Sequence, residues 1–266
     1  MTDEAHQPTP QPAGDLGTAS SQARVQFVGT GPGDPNLLTL GAVDAINRAQ
    51  VIVISYAEHR MLLGSDFLGL RPDVRIVLAG GVDEEAAVLP SQPGTGAPTP
   101  VDVDEHCADV TATVIDAASQ GLEVVRLVSG DPFLDGDIGA EAAAVARADY
   151  DVDVVPGVTG MTAVPEYAGL TLHGHDVQLI GDAACQRDIA GHGSNWSDQG
   201  LVVVNTEAGK LKEVVKHAIE SGRGEDEPAA LICHGATTQQ TTHTVTLGEL
   251  PPVSYTHLTL PTNREV

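Results

Sequence analysis

The sequence predicts an α/β protein built on a parallel sheet. Apolar, strand-like runs alternate with helical patterns through the first half of the chain, which is typical of parallel strands joined by helical crossovers. Three of these runs end in turns built from glycine and proline, at residues 29–35, 130–132 and 156–157. Ligands of such sheets bind at the carboxyl ends of the strands, so these turns are the first candidates for a site.

The early elements follow from local patterns. RVQFVG, VIVIS and VRIVLAG predict short buried strands, and NLLTLGAVDAINRA predicts a helix. The apolar positions of that helix recur at helical spacing: Leu37, Leu40, Val43 and Ile46. A second helix is expected over roughly residues 104–120, with Gly121 as its C-terminal cap.

The later elements contain more strand. LEVVRLVSGDP and VDVVPGVTG each predict a strand followed by a turn, and IGAEAAAVARA predicts a helix between them. KLKEVVKHAIESG predicts an amphipathic helix closed by Gly222. DVQLIG, LVVVN, AALICH and THTVTL predict further strands, so the second half is expected to hold a mixed sheet.

The chain divides into two predicted domains, residues 23–150 and 151–253, both α/β. Residues 1–22 are polar and proline-rich, as in disordered tails. Residues 79–103 predict a long surface loop. The last piece, 254–266 (SYTHLTLPTNREV), does not continue the pattern, and we interpret it as a non-native tail that follows a truncated domain.

Composition excludes several classes of function. With 37 acidic and 13 basic residues the net charge is −24, which argues against nucleic acid as a partner. Cys107, Cys185 and Cys233 form no C-x-x-C pair, which favours a reducing cytoplasm over disulfides or a zinc site. There is no signal peptide and no apolar run that could span a membrane.

The loop VGTGPGDP, after the first strand, is not a standard phosphate loop. The third glycine of a dinucleotide fingerprint would stand at Asp34, and Pro32 has no N–H to donate. A Gly-Lys-Ser/Thr sequence is also absent. Two interpretations remain: a structural turn in which Asp34 or Asn36 caps the helix, or a loop that binds a ligand without phosphate.

Four segments together resemble the tetrapyrrole methylases in order and spacing, over about residues 24–250. They are VGTGPGDPNLLTLGAVDAINRAQVIVIS, VVRLVSGDPF, VVPGVTGMTAVPEYAGL and PAALICHGATTQQ followed by VTLGEL. The resemblance is strongest to the uroporphyrinogen-III C-methyltransferases. More narrowly, it is to the N-terminal half of actinobacterial proteins in which a uroporphyrinogen-III synthase domain follows.

This resemblance implies a fold, a cofactor and a reaction. The fold is a two-domain tetrapyrrole-methylase fold with S-adenosylmethionine in the interdomain cleft, usually as a homodimer. The reaction is C-methylation of a tetrapyrrole, uroporphyrinogen III, towards precorrin-2 in sirohaem and cobalamin synthesis. Two alternatives stay open: methylation of another precorrin, and a degenerate, non-catalytic binding domain attached to a synthase.

The resemblance also implies site residues. The expected cofactor contacts are Pro32, Ser129, Gly130, Asp131, Leu134, Thr159, Gly160, Asn205 and Ala230. Ser55 stands where the family has an aspartate that is proposed to handle a proton, and Asn205 stands where it has a methionine. These two are the catalytic candidates, and no metal is expected.

Two departures from the family affect the substrate side. Asp135 and Asp137 follow the second turn, where the family has an arginine, and TLHGH at 171–175 replaces PLTHR. Candidate compensating cations for a polycarboxylate substrate are Arg60, Arg126 and Arg187. Three histidines could be metal ligands, tetrapyrrole contacts or solvated loop residues: His173, His175 and His192.

Overall fold

The computed structural model describes residues 23–56, 58–80, 105–107, 109–136 and 138–251. The predicted tails 1–22 and 254–266, nearly all of the predicted loop 79–103, and Asp137 lie outside these residues. Within the described part, no helix has both the length and the hydropathy of a membrane span.

The first sheet has six strands in the order β4-β3-β2-β5-β1-β6, and every pairing in it is parallel. Its strands are β1 (Arg24–Gly29), β2 (Val51–Ile54), β3 (Arg75–Ala79), β4 (Glu105–Cys107), β5 (Val124–Val128) and β6 (Asp151–Val155). Its helices are α1 (Leu40–Arg48), α2 (Glu58–Leu63), α3 (Val110–Ser119) and α4 (Gly139–Arg147).

Helices cover both faces of this sheet, which is why its strands are continuous apolar runs. Along β2, Val51 and Val53 pack in one hydrophobic cluster with α3 and α4, whereas Ile52 and Ile54 pack in another with α1. All four side chains are buried. The alternation of side chains across a strand therefore gives two cores, one on each face.

The strand order places a topological switch point between β1 and β5. From β1 the chain passes over β5 through α1 to reach β2, and from β5 it passes over β1 through α4 to reach β6. The two connections leave neighbouring strands towards opposite faces of the sheet, since α1 packs in one core and α4 in the other, and the loops at the carboxyl ends of β1 and β5 therefore lie at the switch point. This is the position at which open α/β sheets bind ligands.

Two predicted boundaries change in the structure. The helix expected over residues 104–120 begins only at Val110, where the Asp109 side chain accepts a hydrogen bond from the Ala112 N–H at 2.9 Å. Residues 105–107 instead form β4 beside β3. Strand Asp151–Val155, assigned above to the second domain, pairs with β1 in the first sheet.

The first helix is also shorter than its pattern predicts. It begins at Leu40 and is capped by Thr39, whose hydroxyl accepts from the Ala42 N–H at 3.1 Å. The side chain of Leu40 is 89% exposed, so it does not belong to the core as the spacing implied. The core face of α1 is formed by Ala42, Ala45 and Ile46.

The C-terminal half contains two small sheets rather than one mixed sheet. β7 (Val177–Ile180) pairs in parallel with β8 (Leu201–Val204), and β9 (Pro228–Cys233) pairs antiparallel with β10 (Thr241–Thr246). The helices of this half are α5 (Gly160–Tyr167), α6 (Asp182–Ile189) and α7 (Leu211–Glu220).

Helix α7 joins the two small sheets. Val214 and Ala218 pack in the cluster of β7 and β8, whereas Leu211 and Val215 pack in the cluster of β9 and β10. Beside this helix, the buried Trp196 donates its indole N–H to Asp188 at 2.8 Å and contacts the ring of His217. The apolar face of α7 therefore packs against two neighbouring hydrophobic clusters.

A buried ion pair in the first sheet gives a stability prediction. Arg126 of β5, whose side chain is 7% exposed, lies 3.2 Å from the Glu141 carboxylate on α4. The substitution Glu141→Ala leaves a buried guanidinium without its carboxylate and should lower the free energy of unfolding by about 3 kcal/mol in urea titrations. The exposed pair of Asp44 and Arg48 is the control, and Asp44→Ala should cost less than about 0.5 kcal/mol. Equal losses in the two variants would contradict the assignment.

Candidate cofactor site

Three loops meet at the carboxyl edge of the first sheet. They follow β1, β5 and β6, which are neighbours in the sheet. The Gly31 N–H donates to the Gly130 carbonyl at 3.3 Å, and the Gly130 N–H donates to the Gly31 carbonyl at 2.8 Å. The first two loops are therefore joined by a reciprocal pair of backbone hydrogen bonds.

The third loop packs against the same point without a side chain between. A Cβ added at Gly29 would lie 2.5 Å from the Gly157 nitrogen and 2.6 Å from the Gly130 carbonyl oxygen. A Cβ added at Gly157 would lie 2.9 Å from the Gly29 Cα. Real Cβ contacts are not this short, so the approach of the three backbones requires glycine at these positions.

Asp135 ties the second loop to the third. Its carboxylate accepts hydrogen bonds from the Asp131 N–H at 2.7 Å and from the Thr159 hydroxyl at 3.0 Å. The Asp131 carboxylate in turn accepts from the N–H groups of Phe133 and Leu134. The resemblance to the family implied that Asp135 is an acid on the substrate side. In the structure its carboxylate connects two loops.

Asp34 has a structural role of the same kind in the first loop. Its carboxylate accepts from the Asn36 N–H at 2.8 Å and from the Tyr167 hydroxyl at 2.7 Å. Burial raises the pKa of Asp34, but these hydrogen bonds outweigh it and hold the pKa below its ordinary value. Asp34 caps the short 3₁₀ turn Pro35–Leu37, and Thr39, rather than Asp34 or Asn36, caps α1.

The structure brings most of the predicted cofactor contacts to this place. Gly130 and Asp131 lie in the bonded second loop, and Thr159 is held by Asp135. A Cβ on Gly160 would lie 3.6 Å from the Pro32 side chain. Ser129 begins the second loop directly after β5.

The C-terminal half contacts the first two of these loops. A Cβ on Gly33 would lie 3.0 Å from Thr237, and one on Gly181 would lie 3.5 Å from the Leu134 carbonyl oxygen. Asn205 is exposed at the end of β8, where its N–H donates to the Ile180 carbonyl at 2.9 Å. Leu134 and the ends of β7 and β8 are therefore neighbours.

Two predicted residues lie apart from these contacts. Ala230 is exposed in β9, opposite Thr244 of β10. Ser55 follows β2, and its buried hydroxyl is among the side-chain groups of the described residues that have no hydrogen-bond partner. Neither residue is joined to the three loops by a described hydrogen bond.

A buried histidine, which the sequence analysis missed, connects two of the loops. His59 of α2 is 2% exposed, and its Nε2 lies 3.3 Å from the Thr30 hydroxyl and 3.2 Å from the Ser129 hydroxyl. Burial, with repulsion from the Arg126 guanidinium as the second cause, lowers the pKa of His59 from 6.5 to about 3. The imidazole is therefore neutral at physiological pH.

The three arginines that were expected to balance the charge of a polycarboxylate substrate differ in their exposure and in their partners. Arg126 is committed to Glu141 and to the Leu127 carbonyl, whereas Arg187 is exposed on α6. Arg60, on α2, is half-buried.

His173, His175 and His192 are exposed. His173 and His175 flank Gly174 in a turn. Among the described residues no group of three or more His, Cys, Asp or Glu side chains could hold a metal ion.

The backbone contact at Gly29 gives a prediction with a matched control. Gly29→Ala places a Cβ against the Gly157 nitrogen and should lower the free energy of unfolding by about 2 kcal/mol or more. Gly139→Ala, at a position with open space around the added Cβ, should cost nothing or stabilise slightly. Urea titrations of both variants measure this, and equal stability would show that the three loops do not pack as described.

The neutral His59 predicts an acid-sensitive stability. Its pKa is lowered in the folded chain, so below about pH 6.5 the unfolded chain binds a proton that the folded chain excludes, and stability falls as pH drops towards about 3. Between pH 7 and 5 the wild type should lose about 2 kcal/mol more unfolding free energy than His59→Gln. Parallel pH profiles of the two proteins would refute this role.

Known proteins resemble this chain over most of its length. The family model described as Tetrapyrrole (Corrin/Porphyrin) Methylases matches residues 24–251. A uroporphyrinogen-III C-methyltransferase of Sinorhizobium sp is 31% identical over 237 residues, which cover 86% of this chain and 77% of that protein. A siroheme synthase of Pseudomonas fluorescens is 32% identical over 88% of this chain, but the match covers only 47% of that longer protein.

Solved structures show the same fold. A cobalt precorrin-4 methyltransferase superposes with a TM-score of 0.65 at 20% identity, with 91% of this chain and 93% of that one covered. A uroporphyrin-III C-methyltransferase from Thermus thermophilus gives a TM-score of 0.62 at 23% identity, with 90% and 92% covered. Since the family model spans both halves of the chain and all three loops, the chain belongs to the tetrapyrrole (corrin/porphyrin) methylases.

Proposed function

We propose that this chain binds S-adenosylmethionine among the three loops and uses it to methylate a carbon of a tetrapyrrole, uroporphyrinogen III. The observation that carries the proposal is the meeting of three glycine-dependent loops at the carboxyl ends of β1, β5 and β6. The sequence similarity to the Sinorhizobium uroporphyrinogen-III C-methyltransferase also supports this proposal.

The residues present fit this cofactor chemically. S-adenosylmethionine carries a sulfonium and an ammonium but no phosphate. The three loops contain Asp34, Asp131 and Asp135 and no lysine or arginine. Pro32 removes one donor that a phosphate would use. A phosphate-free, cationic ligand therefore suits these loops better than a nucleotide.

The proposed contacts are those that the resemblance implies. Pro32, Gly130 and Gly160 would contact the cofactor through backbone or through surfaces without long side chains, and Ser129 would donate a hydrogen bond. Leu134, in the second loop, and Asn205, directly after β8, would complete the contacts. When bound, the cofactor supplies a methyl group to an electron-rich pyrrole carbon, with release of a neutral thioether and loss of a proton from the macrocycle.

This chain's contribution to that chemistry is positioning. The three loops are fixed to one another by backbone contacts, so groups held on them keep a defined geometry towards the substrate. Ser55 and Asn205 are the proposed participants near the reacting carbon. A serine hydroxyl is a much weaker base than the aspartate found in the family, so proton loss would fall to solvent or to the substrate itself.

That weakness favours one second candidate: a non-catalytic domain that binds the cofactor and serves a uroporphyrinogen-III synthase partner. The supporting observation is the unpartnered hydroxyl of Ser55, at the position where the family has the acid. We also propose a homodimer in the cytoplasm. The free thiols Cys185 and Cys233 are consistent with that compartment.

Calorimetry with S-adenosylhomocysteine, followed by a methyl-transfer assay on uroporphyrinogen III, separates these candidates. Binding with turnover supports the methyltransferase. Binding without turnover on this substrate or on a precorrin panel supports the non-catalytic domain, and turnover only on a precorrin reassigns the substrate. Absence of binding would reject both cofactor-based functions.

Substitution at Gly130 tests the location of the site. Gly130 has φ +66, and an added Cβ would run into the Asp135 carboxylate, so Gly130→Arg should reduce cofactor affinity at least 100-fold. Gly169→Arg is the matched control, because Gly169 has φ +74 with open space around the added Cβ. It should bind like the wild type. Unchanged affinity in Gly130→Arg would place the cofactor elsewhere.

A further inference from the structure

The donors and acceptors around His59 determine which of its two ring nitrogens carries the proton. The Thr30 hydroxyl lies 3.1 Å from the Val128 carbonyl oxygen, which can only accept, so Thr30 donates its one proton there. The Thr30 oxygen can then only accept from the imidazole Nε2 at 3.3 Å. The proton of the neutral ring therefore sits on Nε2.

The other ring nitrogen agrees with this tautomer. Nδ1 of His59 is buried and has no partner within the described residues. A buried acceptor without a partner costs less than a buried N–H without one, so Nδ1 is the unprotonated nitrogen. The burial and the nearby Arg126 that lower the pKa of His59 keep the ring in this neutral form.

This tautomer determines what the Ser129 hydroxyl can do. Ser129 lies 3.2 Å from the same Nε2, so the single Nε2 proton is shared between the Thr30 and Ser129 oxygens, and the Ser129 proton points elsewhere. No other partner for that proton is found within the described part of the chain. Ser129 is only half-buried, directly at the start of the second loop. Its O–H is therefore free to donate to a ligand.

We propose that His59 is a positioning residue that presents the Ser129 hydroxyl as a hydrogen-bond donor to an oxygen acceptor of the bound cofactor, a ribose or carboxylate oxygen. The inference rests on the proposed function, since it takes S-adenosylmethionine as the ligand. His59 itself touches no ligand. Its partners in this role are Thr30 in the first loop and Ser129 in the second, so it also sets the spacing between the two loops.

A double-mutant cycle on the full chain tests the coupling, with S-adenosylhomocysteine affinity measured by calorimetry. Ser129→Ala and His59→Leu should each weaken binding by about 10-fold, the loss expected for one hydrogen bond to a ligand. The double variant should also lose about 10-fold. Independent effects would multiply to about 100-fold and would overturn the proposal.

Two further variants separate positioning from general damage. His59→Gln keeps an N–H donor and should recover most of the affinity lost in His59→Leu, whereas a merely structural role would not distinguish them in this way. His217→Leu removes a histidine that contacts Trp196 in the C-terminal half, and it should bind like the wild type. Failure of rescue by glutamine in a folded variant counts against the proposal.

The tautomer itself can be read by nitrogen NMR of the imidazole, independently of any ligand. A proton on Nε2 that persists from pH 7 to 5 is expected. A proton on Nδ1, or titration near pH 6.5, would overturn the inference. If the wild type does not bind S-adenosylhomocysteine, the proposed function fails and the ligand role of Ser129 fails with it. Additive losses in a chain that binds reject the role of His59 alone.

Discussion

The contact on which the site depends is backbone against backbone. Gly29, the last residue of β1, and Gly157, after β6, approach each other and the Gly130 carbonyl, after β5, so closely that neither could carry a side chain. Because the strands are hydrogen-bonded in one sheet, the positions of their ends are fixed by the fold rather than by the loops. The loops are therefore held at fixed positions relative to one another. A ligand held on them meets groups that are already in place, which limits the ordering cost of binding.

Acidic side chains reinforce this backbone contact. The sequence carries a large excess of acids, and those in the loops could be taken for a repulsive feature in an enzyme whose proposed substrate is a polycarboxylate. Asp34 and Asp135 instead accept hydrogen bonds from Tyr167 and Thr159, side chains that lie on or next to α5. Their negative charges remain near the proposed cofactor, where a cation is expected, and their hydrogen bonds hold the loops in position.

Much of the first sheet and the location of the site could be predicted from sequence, because glycine and proline mark the ends of apolar strands such as VVRLV. The contacts among the loops could not. Asp135 meets Thr159 across 24 residues, and His59 meets Thr30 and Ser129 across 29 and 70 residues. His59 also lies in a helix of only six residues, too short for a periodic pattern to mark its buried face. Strand β4 escaped prediction for a related reason, since it is three residues long and is defined by pairing with β3.

The position of Trp196 has a practical consequence for spectroscopy. It is the only tryptophan of the chain, and it is buried in the C-terminal half beside α7, with its indole N–H bonded to Asp188. Tryptophan fluorescence therefore reports on the small sheets and not on the sheet that carries the three loops. Circular dichroism reports on helices from both halves. Comparison of the two signals during unfolding would reveal whether the two halves of the molecule melt as one cooperative unit or in sequence.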